Sequence, residues 1–238
     1  MKNHKDIKYQ MQNKMYKTIV PKGGKSGLVK HIYSYEDASN TIYNCYRLVP
    51  RVNVTKSHLT DGELDMLFVD SILKPLLSYS DIFLDVGCGM GLVVIQLAMT
   101  VYAKQLIGIE PVQNRLKNCA AEDMNDQLNT SITNRIDFFQ GRLEDVGLGL
   151  ATVVYSCNVL FMEETILEFV RQILLSKYLH TVVSFIELDT IDHIFQMKKK
   201  VKVVVSWTDS KVDLYVYKRP ARRLNIKQTR SKTRSRKR

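Results

Sequence analysis

The pattern of apolar and polar positions predicts strands alternating with helices over most of the chain. An apolar run that begins at Phe83 ends in Asp85, and three glycines at alternate positions follow it, and then an apolar stretch that continues to Tyr102. This pattern predicts a strand, a tight turn and a helix, because a backbone that turns sharply and lets a ligand approach closely has no room for Cβ atoms. A second apolar strand, Leu106–Ile109, ends in Glu110.

The remaining elements follow from the same patterns. Helical spacing predicts helices at residues 64–76, 112–128 and 163–178. Short apolar runs predict strands at 135–140, 152–157 and 181–188, and then a hairpin of 201–207 and 212–217 around Thr208–Lys211. Five strands that alternate with helices, followed by a hairpin, predict a doubly wound α/β sheet of seven strands with an antiparallel edge pair.

The glycine turn can be interpreted in two ways. Dinucleotide-binding folds use G-x-G-x-x-G, whose third glycine would fall on Leu92. The spacing found is D-x-G-x-G-x-G, carried by Asp85, Gly87, Gly89 and Gly91. It resembles the S-adenosylmethionine (SAM) loop of class I methyltransferases, which implies their Rossmann-like sheet and SAM as the cofactor. An acid at the tip of the second strand, as at Glu110, can accept both hydroxyls of a ribose.

Further motifs resemble one methyltransferase family, the disruptor-of-telomeric-silencing histone lysine methyltransferases, which lack the SET fold. The resemblance covers roughly residues 55–218. Besides the SAM loop, the matching motifs are Gly62-Glu63-Leu64, Gly108-Ile109-Glu110, Val153–Asn158 with Phe161, and Val205-Ser206-Trp207-Thr208, followed by a strand with Tyr215.

The resemblance implies which residues form the site. The cofactor-binding residues would be Glu63, Asp85, Gly87, Gly89, Gly91, Glu110 and Leu143. The channel for the substrate lysine would be formed by Cys157, Asn158, Phe161, Trp207 and Tyr215, with Tyr155 beside them. Four positions depart from the family pattern: Asp61 replaces a tyrosine, Cys157 replaces the first asparagine of a pair, Arg142 replaces the acid that faces the adenine amino group, and Leu92 replaces a glutamine. The role of the missing acid is open to Glu144 or Asp145.

Charge divides the chain into an acidic body and two basic ends. Residues 218–238 carry eleven Lys and Arg and no acid, and the first thirty residues carry eight lysines and one acid. We therefore predict basic, disordered segments at 1–30 and 219–238 around a methyltransferase domain at 31–218. Such ends bind polyanions, chiefly nucleic acid, although the C-terminal one could also be only a nuclear-localisation signal.

The sequence carries no motif typical of a secreted, membrane-spanning or metal-binding protein. No window resembles a signal peptide or a membrane-spanning helix, and no metal site is expected. The four cysteines are far apart without a C-x-x-C pair, which suits an intracellular protein with reduced thiols.

The resemblance implies a SAM-dependent protein-lysine N-methyltransferase that acts on a nucleosomal core histone in the nucleus, and we expect it to be a monomer. Two alternatives stay open. Basic ends would equally suit a nucleic-acid methyltransferase acting on RNA, although the N/D-P-P-[YF] motif of amino-group DNA methyltransferases is missing at Cys157–Phe161. The departures at Cys157 and Arg142 favour a chromatin-binding module that binds SAM with little or no turnover.

Overall fold

The structure, a computed structural model, describes residues 69–117, 130–205 and 208–220. These residues form a seven-stranded sheet with the order β3-β2-β1-β4-β5-β7-β6. The strands are β1 (Ile82–Val86), β2 (Gln105–Glu110), β3 (Ile136–Gln140), β4 (Val153–Ser156), β5 (Thr181–Ser184), β6 (Gln196–Val205) and β7 (Thr208–Lys218). The first five are parallel, and β7 is antiparallel to both β5 and β6. The predicted seven-stranded α/β sheet with an antiparallel edge hairpin is confirmed.

The α-helices connect the parallel strands. They are α1 (Leu92–Thr100), α2 (Gln113–Lys117), α3 (Thr130–Thr133), α4 (Leu143–Val146) and α5 (Glu163–Leu175). A π-helix (Val69–Leu73) and a short 3-10 helix (Lys74–Leu76) precede β1, and a second 3-10 helix (Asp189–Ile191) precedes β6. The π-helix is followed directly by the first 3-10 helix, which ends at Leu76, where the helix predicted at 64–76 also ends. Residues 64–68 of that predicted helix lie outside the described part of the chain. Residues 118–128 of the helix predicted at 112–128 lie outside it as well.

Two apolar layers cover the sheet. Phe83 and α1 belong to one layer, and Leu84, Val86 and α5 belong to the other. Every residue of β1, β2, β4 and β5 is buried, which is why these strands read as continuous apolar runs in the sequence. The strand order reverses between β2-β1 and β4, and ligands bind at such a switch point, beside the carboxyl ends of the strands.

Three strand boundaries differ from the prediction by four or five residues. Strand β5 ends at Ser184 instead of residue 188, because the Ser184 Oγ donates to the Ile186 carbonyl oxygen and turns the chain. Thr208–Lys211, predicted as the hairpin turn, belongs to β7, where Thr208 pairs with Val205. Strand β6 begins at Gln196, five positions before Val201, and these added positions are exposed polar residues or Met197 that give no apolar signal.

The C-terminal end of β7 continues onto the folded body. The backbone N–H of Arg219 donates to the His180 carbonyl oxygen at 2.8 Å, and its guanidinium donates to the Ser176 carbonyl oxygen at 2.8 Å. Arg219, counted with the basic end in the sequence, is therefore held against the amino end of β5. Within the described ranges no helix is long and apolar enough to cross a bilayer.

Candidate cofactor and methyl-transfer site

A cavity of about 350 Å³ lies at the carboxyl ends of β1, β2 and β4. The turn after β1 forms one side, from Val86 to Gly89, and Glu110 with the start of α2 forms the next. The opposite side comes from the start of α4 and from the segment between β4 and α5. The lining residues there are Gly141, Arg142, Leu143, Glu144, Cys157, Leu160, Phe161, Met162 and Thr165.

The glycine turn needs its glycines for two separate reasons. Gly87, Gly89 and Gly91 have φ of 79°, 55° and 81°, in the left-handed region that favours glycine. A Cβ atom on Gly87 would also lie 3.1 Å from Cζ of Phe161, which packs over the turn. The backbone N–H groups of Gly87 and Cys88 both donate to the Ile109 carbonyl oxygen, at 2.9 and 3.0 Å, so the turn is fixed to the end of β2.

Glu110 joins the two loops that form this wall. One carboxylate oxygen accepts a hydrogen bond from the N–H of Gly89 at 3.0 Å, and the other accepts one from the N–H of Val112 at 3.0 Å. The carboxylate is buried, at 3% exposure, and Arg115 of α2 lies 4.0 Å from it. The carboxylate is thereby held at the cavity wall with a cation beside it.

Asp85 lies beside the turn without lining the cavity. Its carboxyl is 2% exposed, and its Oδ1 has no hydrogen-bond partner among the described residues. Burial, and then the nearby charge of Glu110, hold the pKa of Asp85 well above its usual range. Asp85 follows Phe83 by two positions, so its side chain points toward the α1 layer of the sheet.

The far wall of the cavity combines an apolar floor with charged groups at its edge. Leu143 is buried at the start of α4, and its neighbours Arg142 and Glu144 are exposed. Cys157 and Phe161 are half-buried and line the cavity. The predicted residues Gly87, Gly89, Glu110, Leu143, Cys157 and Phe161 are therefore brought together around one cavity.

Other predicted residues lie elsewhere. Asn158 is fully buried, and its Oδ1 accepts from the N–H groups of Phe185 and Ile186 at 3.1 and 3.2 Å. Its amide nitrogen donates to the Ser184 Oγ at 2.9 Å, so Asn158 holds the end of β5. Tyr215 is buried in the hairpin against Tyr217 and does not line the cavity, and Tyr155 is 1% exposed in the core.

Glu63 and Trp207 lie outside the described residues, as does Asp61. Gly91 precedes α1 as its N-cap residue. Sequence reasoning missed Arg115 and Thr165, which line the cavity. The only available signal for Arg115 was a basic residue in the first turn after the acid of β2, a common arrangement on a solvated helix.

The family model for "Histone methylation protein DOT1" matches residues 53–218. The chain belongs to this histone methylation family. It is a SAM-dependent histone methyltransferase with the class I methyltransferase fold, so the resemblance drawn from the glycine turn and the later motifs is confirmed. No curated protein matches the chain.

Solved methyltransferase structures resemble the fold at low sequence identity. A putative RNA methyltransferase from Pyrococcus horikoshii is 14% identical, with a TM-score of 0.54 over 77% of this chain and 98% of its own. An RNA methyltransferase from Salinibacter ruber, solved with S-adenosyl-L-homocysteine, is 23% identical with a TM-score of 0.47, over 65% of this chain and 91% of its own. A putative tRNA methyltransferase from Streptococcus pneumoniae, solved with SAM, is 16% identical with a TM-score of 0.48, over 67% and 74%.

Proposed function

We propose that this DOT1-family protein transfers the methyl group of SAM to a lysine of a core histone within the nucleosome, in the nucleus. The observation that carries the site assignment is the buried Glu110 carboxylate, which fixes two loops at the edge of a cavity of about 350 Å³. An acceptor in this position suits the two hydroxyls of a ribose. Leu143 and the apolar floor suit an adenine ring, and the left-handed turn at Gly87 keeps the cavity open.

We propose Glu63 as a ligand of the amino-acid portion of the cofactor. Asp85 is proposed as a positioning residue behind the glycine turn, because its carboxyl is 2% exposed and does not itself line the cavity. When bound, SAM supplies the methyl group on a positively charged sulfur.

The chain's own task is to align the lysine and keep water away. The lysine Nζ must arrive deprotonated, because only its lone pair can attack the methyl carbon as the sulfur–carbon bond breaks. An apolar wall lowers the pKa of an ammonium group by desolvation, and Cys157 and Phe161 provide such a wall in the cavity. The products are methyl-lysine, S-adenosylhomocysteine and one proton, which leaves to solvent before the attack. We propose Trp207, on the motif match alone, as a further residue of the channel; Tyr215 is buried against Tyr217 and is not part of the cavity wall.

The rim of the cavity suits a basic protein substrate. Leu160 and Met162 are exposed apolar side chains that line the cavity, and the exposed Val159 precedes them in the chain. Glu144 lines the cavity and is exposed, and the exposed Glu163 and Glu164 directly follow Met162 at the start of α5. Carboxylates around an apolar opening attract a lysine-bearing histone surface and leave the apolar residues to receive the lysine stem.

The basic ends at residues 1–30 and 219–238 are proposed to hold nucleosomal DNA while the body presents its cavity to the histone. The test is a competition in which radiolabelled SAM is offered to nucleosomes, free histones and RNA side by side. We expect label on a lysine of a histone, mapped by mass spectrometry. Label only on RNA would establish the nucleic-acid alternative, and S-adenosylhomocysteine binding without any label would establish a binding module without turnover.

A further inference from the structure

A row of lysines follows the free edge of the sheet, away from the cavity described above. Strand β6 is the last strand, and Lys198, Lys199, Lys200 and Lys202 on it are all exposed. Together, β6 and β7 carry six lysines and two aspartates, although the body of the chain as a whole is acidic. Positive charge is therefore concentrated on one edge of the folded domain. We call Lys198, Lys199, Lys200 and Lys202 the edge lysines.

The local acids neutralise only part of this charge. Asp213 of β7 lies 3.3 Å from the Lys200 ammonium and 2.9 Å from that of Lys202, so one carboxylate serves two cations. Lys200 also lies 4.8 Å above the Tyr215 ring, which fixes its stem. Within the described ranges no carboxylate forms an ion pair with Lys198 or Lys199. Lys198 donates to the side-chain oxygen of Gln196 at 2.6 Å, a neutral acceptor, so no carboxylate among the described residues compensates the charge of Lys198 or Lys199.

The register of the hairpin shows where this row leads. At one end Gln196 pairs with Lys218, next to the point where the chain continues into the basic C-terminal segment. Strand β5 ends at Ser184 opposite Tyr215, and the hairpin continues beyond it to the pair of Val205 and Thr208. The edge lysines therefore run from the root of the C-terminal segment toward the edge of the sheet at which the cavity opens.

We infer that the edge lysines form a phosphate-binding surface for duplex DNA, which continues the basic C-terminal segment along the folded domain. This rests on the proposed function, in which the DNA belongs to the nucleosome. An extended row of cations is complementary to an extended row of phosphates. Lys200 and Lys202, two positions apart on the strand, are separated by about 6.6 Å, and the adjacent Lys198 and Lys199 extend the row at the register shift between Met197 and Lys199. Lysines on an edge strand also prevent pairing with another chain, and the test separates this role from DNA binding.

The experiment measures binding of the full chain to a fluorescent duplex of about 30 base pairs between 50 and 200 mM salt. The double variant Lys198→Gln, Lys199→Gln removes two cations that form no ion pair among the described residues. We expect the slope of log K against log salt to fall by about 2 and the affinity to fall roughly tenfold, since each phosphate contact contributes about 0.9 to the slope. The matched control is Lys104→Gln, Lys177→Gln, which removes the same charge away from β6 and should leave the slope within experimental error.

A second variant tests the same surface in the opposite direction. Asp213→Asn releases Lys200 and Lys202 from their shared carboxylate, so we expect tighter DNA binding and a steeper slope. A slope for the edge variant equal to that of the control, with no gain for Asp213→Asn, would overturn the inference and leave edge protection as the role of the lysines. A loss of affinity for single-stranded RNA with unchanged binding of duplex DNA would overturn it as well.

The readout also distinguishes this inference from the proposed function. Histone methylation is assayed in parallel on free histones, which contain no DNA, and the edge variant should methylate them as the wild type does. If the wild type methylates no histone but the edge variant still lowers the salt slope, the proposed function has failed and the DNA surface stands. If methylation is found but the slope does not change, only the DNA surface has failed.

Discussion

At the scale of single residues, Glu110 joins the two loops of the cavity wall. Its loss should lower both the affinity for the cofactor product and the stability of the fold. Glu110→Ala would leave the N–H groups of Gly89 and Val112 without their acceptor, at about 1–3 kcal/mol for each buried group. It would also remove the proposed partner of the ribose hydroxyls. We expect S-adenosylhomocysteine affinity, measured by titration calorimetry, to fall by about 10- to 100-fold, with a lower melting temperature.

The matched control for Glu110 is Glu144→Ala. Glu144 also lines the cavity but is exposed, and no residue in the described part of the chain forms a hydrogen bond with its carboxylate. Its removal should change the affinity by less than about threefold. Equal affinities for the Glu110→Ala and wild-type proteins would contradict the assignment of Glu110.

Asp85 should make the stability of the protein depend on pH in an unusual direction. Burial raises the pKa of Asp85 well above its usual range, so the folded state binds a proton that the unfolded state releases. Between the unfolded and the folded pKa, stability therefore falls as pH rises, by about 1.4 kcal/mol for each pH unit in that window. Asp85→Asn carries no charge, so its advantage over the wild type in urea denaturation should grow as the pH rises from 4 and then become constant.

Asp81 provides a control of opposite sign. Burial acts to raise the pKa of Asp81, but hydrogen bonds from Ser78, Thr152 and His180 outweigh it, and the pKa lies below its usual value. Its stabilising contribution is present above the unfolded pKa and is lost as pH falls through the folded pKa. Asp81→Asn should therefore be less stable than the wild type at pH 7, with a difference that shrinks in acid. The same trend in both variants would contradict the role given to Asp85.

At the scale of elements, the segment after β4 depends on the end of β5 through Asn158. Asn158→Ala would remove an acceptor of the Phe185 N–H and one of the two acceptors of the Ile186 N–H, which also donates to the Ser184 Oγ, and we expect about 2–4 kcal/mol of destabilisation. Because Phe161 follows three residues later and lines the cavity, kcat should fall more than KM rises.

The comparison for Asn158 is Ser156→Ala, which removes one hydrogen bond to the Val86 carbonyl oxygen. It should cost about 1 kcal/mol. The measurements are urea denaturation and steady-state kinetics on histone substrate. An Asn158→Ala protein as stable as Ser156→Ala would mean that the amide does not hold β5.

The elements also show what a sequence can and cannot reveal. Strands β1, β2 and β4 were predictable because both faces are buried, so that most of their residues are apolar. The start of β6 could not be predicted in this way, because an exposed edge strand needs no apolar residues. The partner of Asn158 was also hidden, since Phe185 lies 27 positions away and only the folded sheet brings the two together. The glycine turn, in contrast, is local, and its spacing was sufficient.

At the scale of the whole molecule, the end of β7, where the basic C-terminal segment begins, and the cavity lie at opposite ends of the strands. Lys218 pairs with Thr181 at the amino end of β5, and the cavity lies beside the carboxyl ends of the strands. Deleting residues 222–238 should therefore weaken nucleosome binding strongly and flatten its salt dependence, since many phosphate contacts would be lost. The affinity for S-adenosylhomocysteine should not change.

The measurements for this deletion are nucleosome binding at 50 and 200 mM salt and calorimetry with S-adenosylhomocysteine. The lysines of residues 1–30 could compensate in part, so the double deletion is the sharper experiment. A truncated protein that methylates nucleosomes as well as the full chain at physiological salt would mean that the segment serves only in targeting.

The thiol of Cys157 is placed to react with an electrophile bound in the cavity. Cys157 lines the cavity, is half-buried and forms no disulfide. Cys88 also borders the cavity, but its sulfur lies against Gly108, 2.6 Å from where a Cβ on that glycine would be. An adenosine analogue that carries a mild electrophile should therefore label Cys157 and spare Cys88, and the label should disappear in Cys157→Ser. Such a reagent would report occupancy of the cofactor cavity by mass alone, without any turnover.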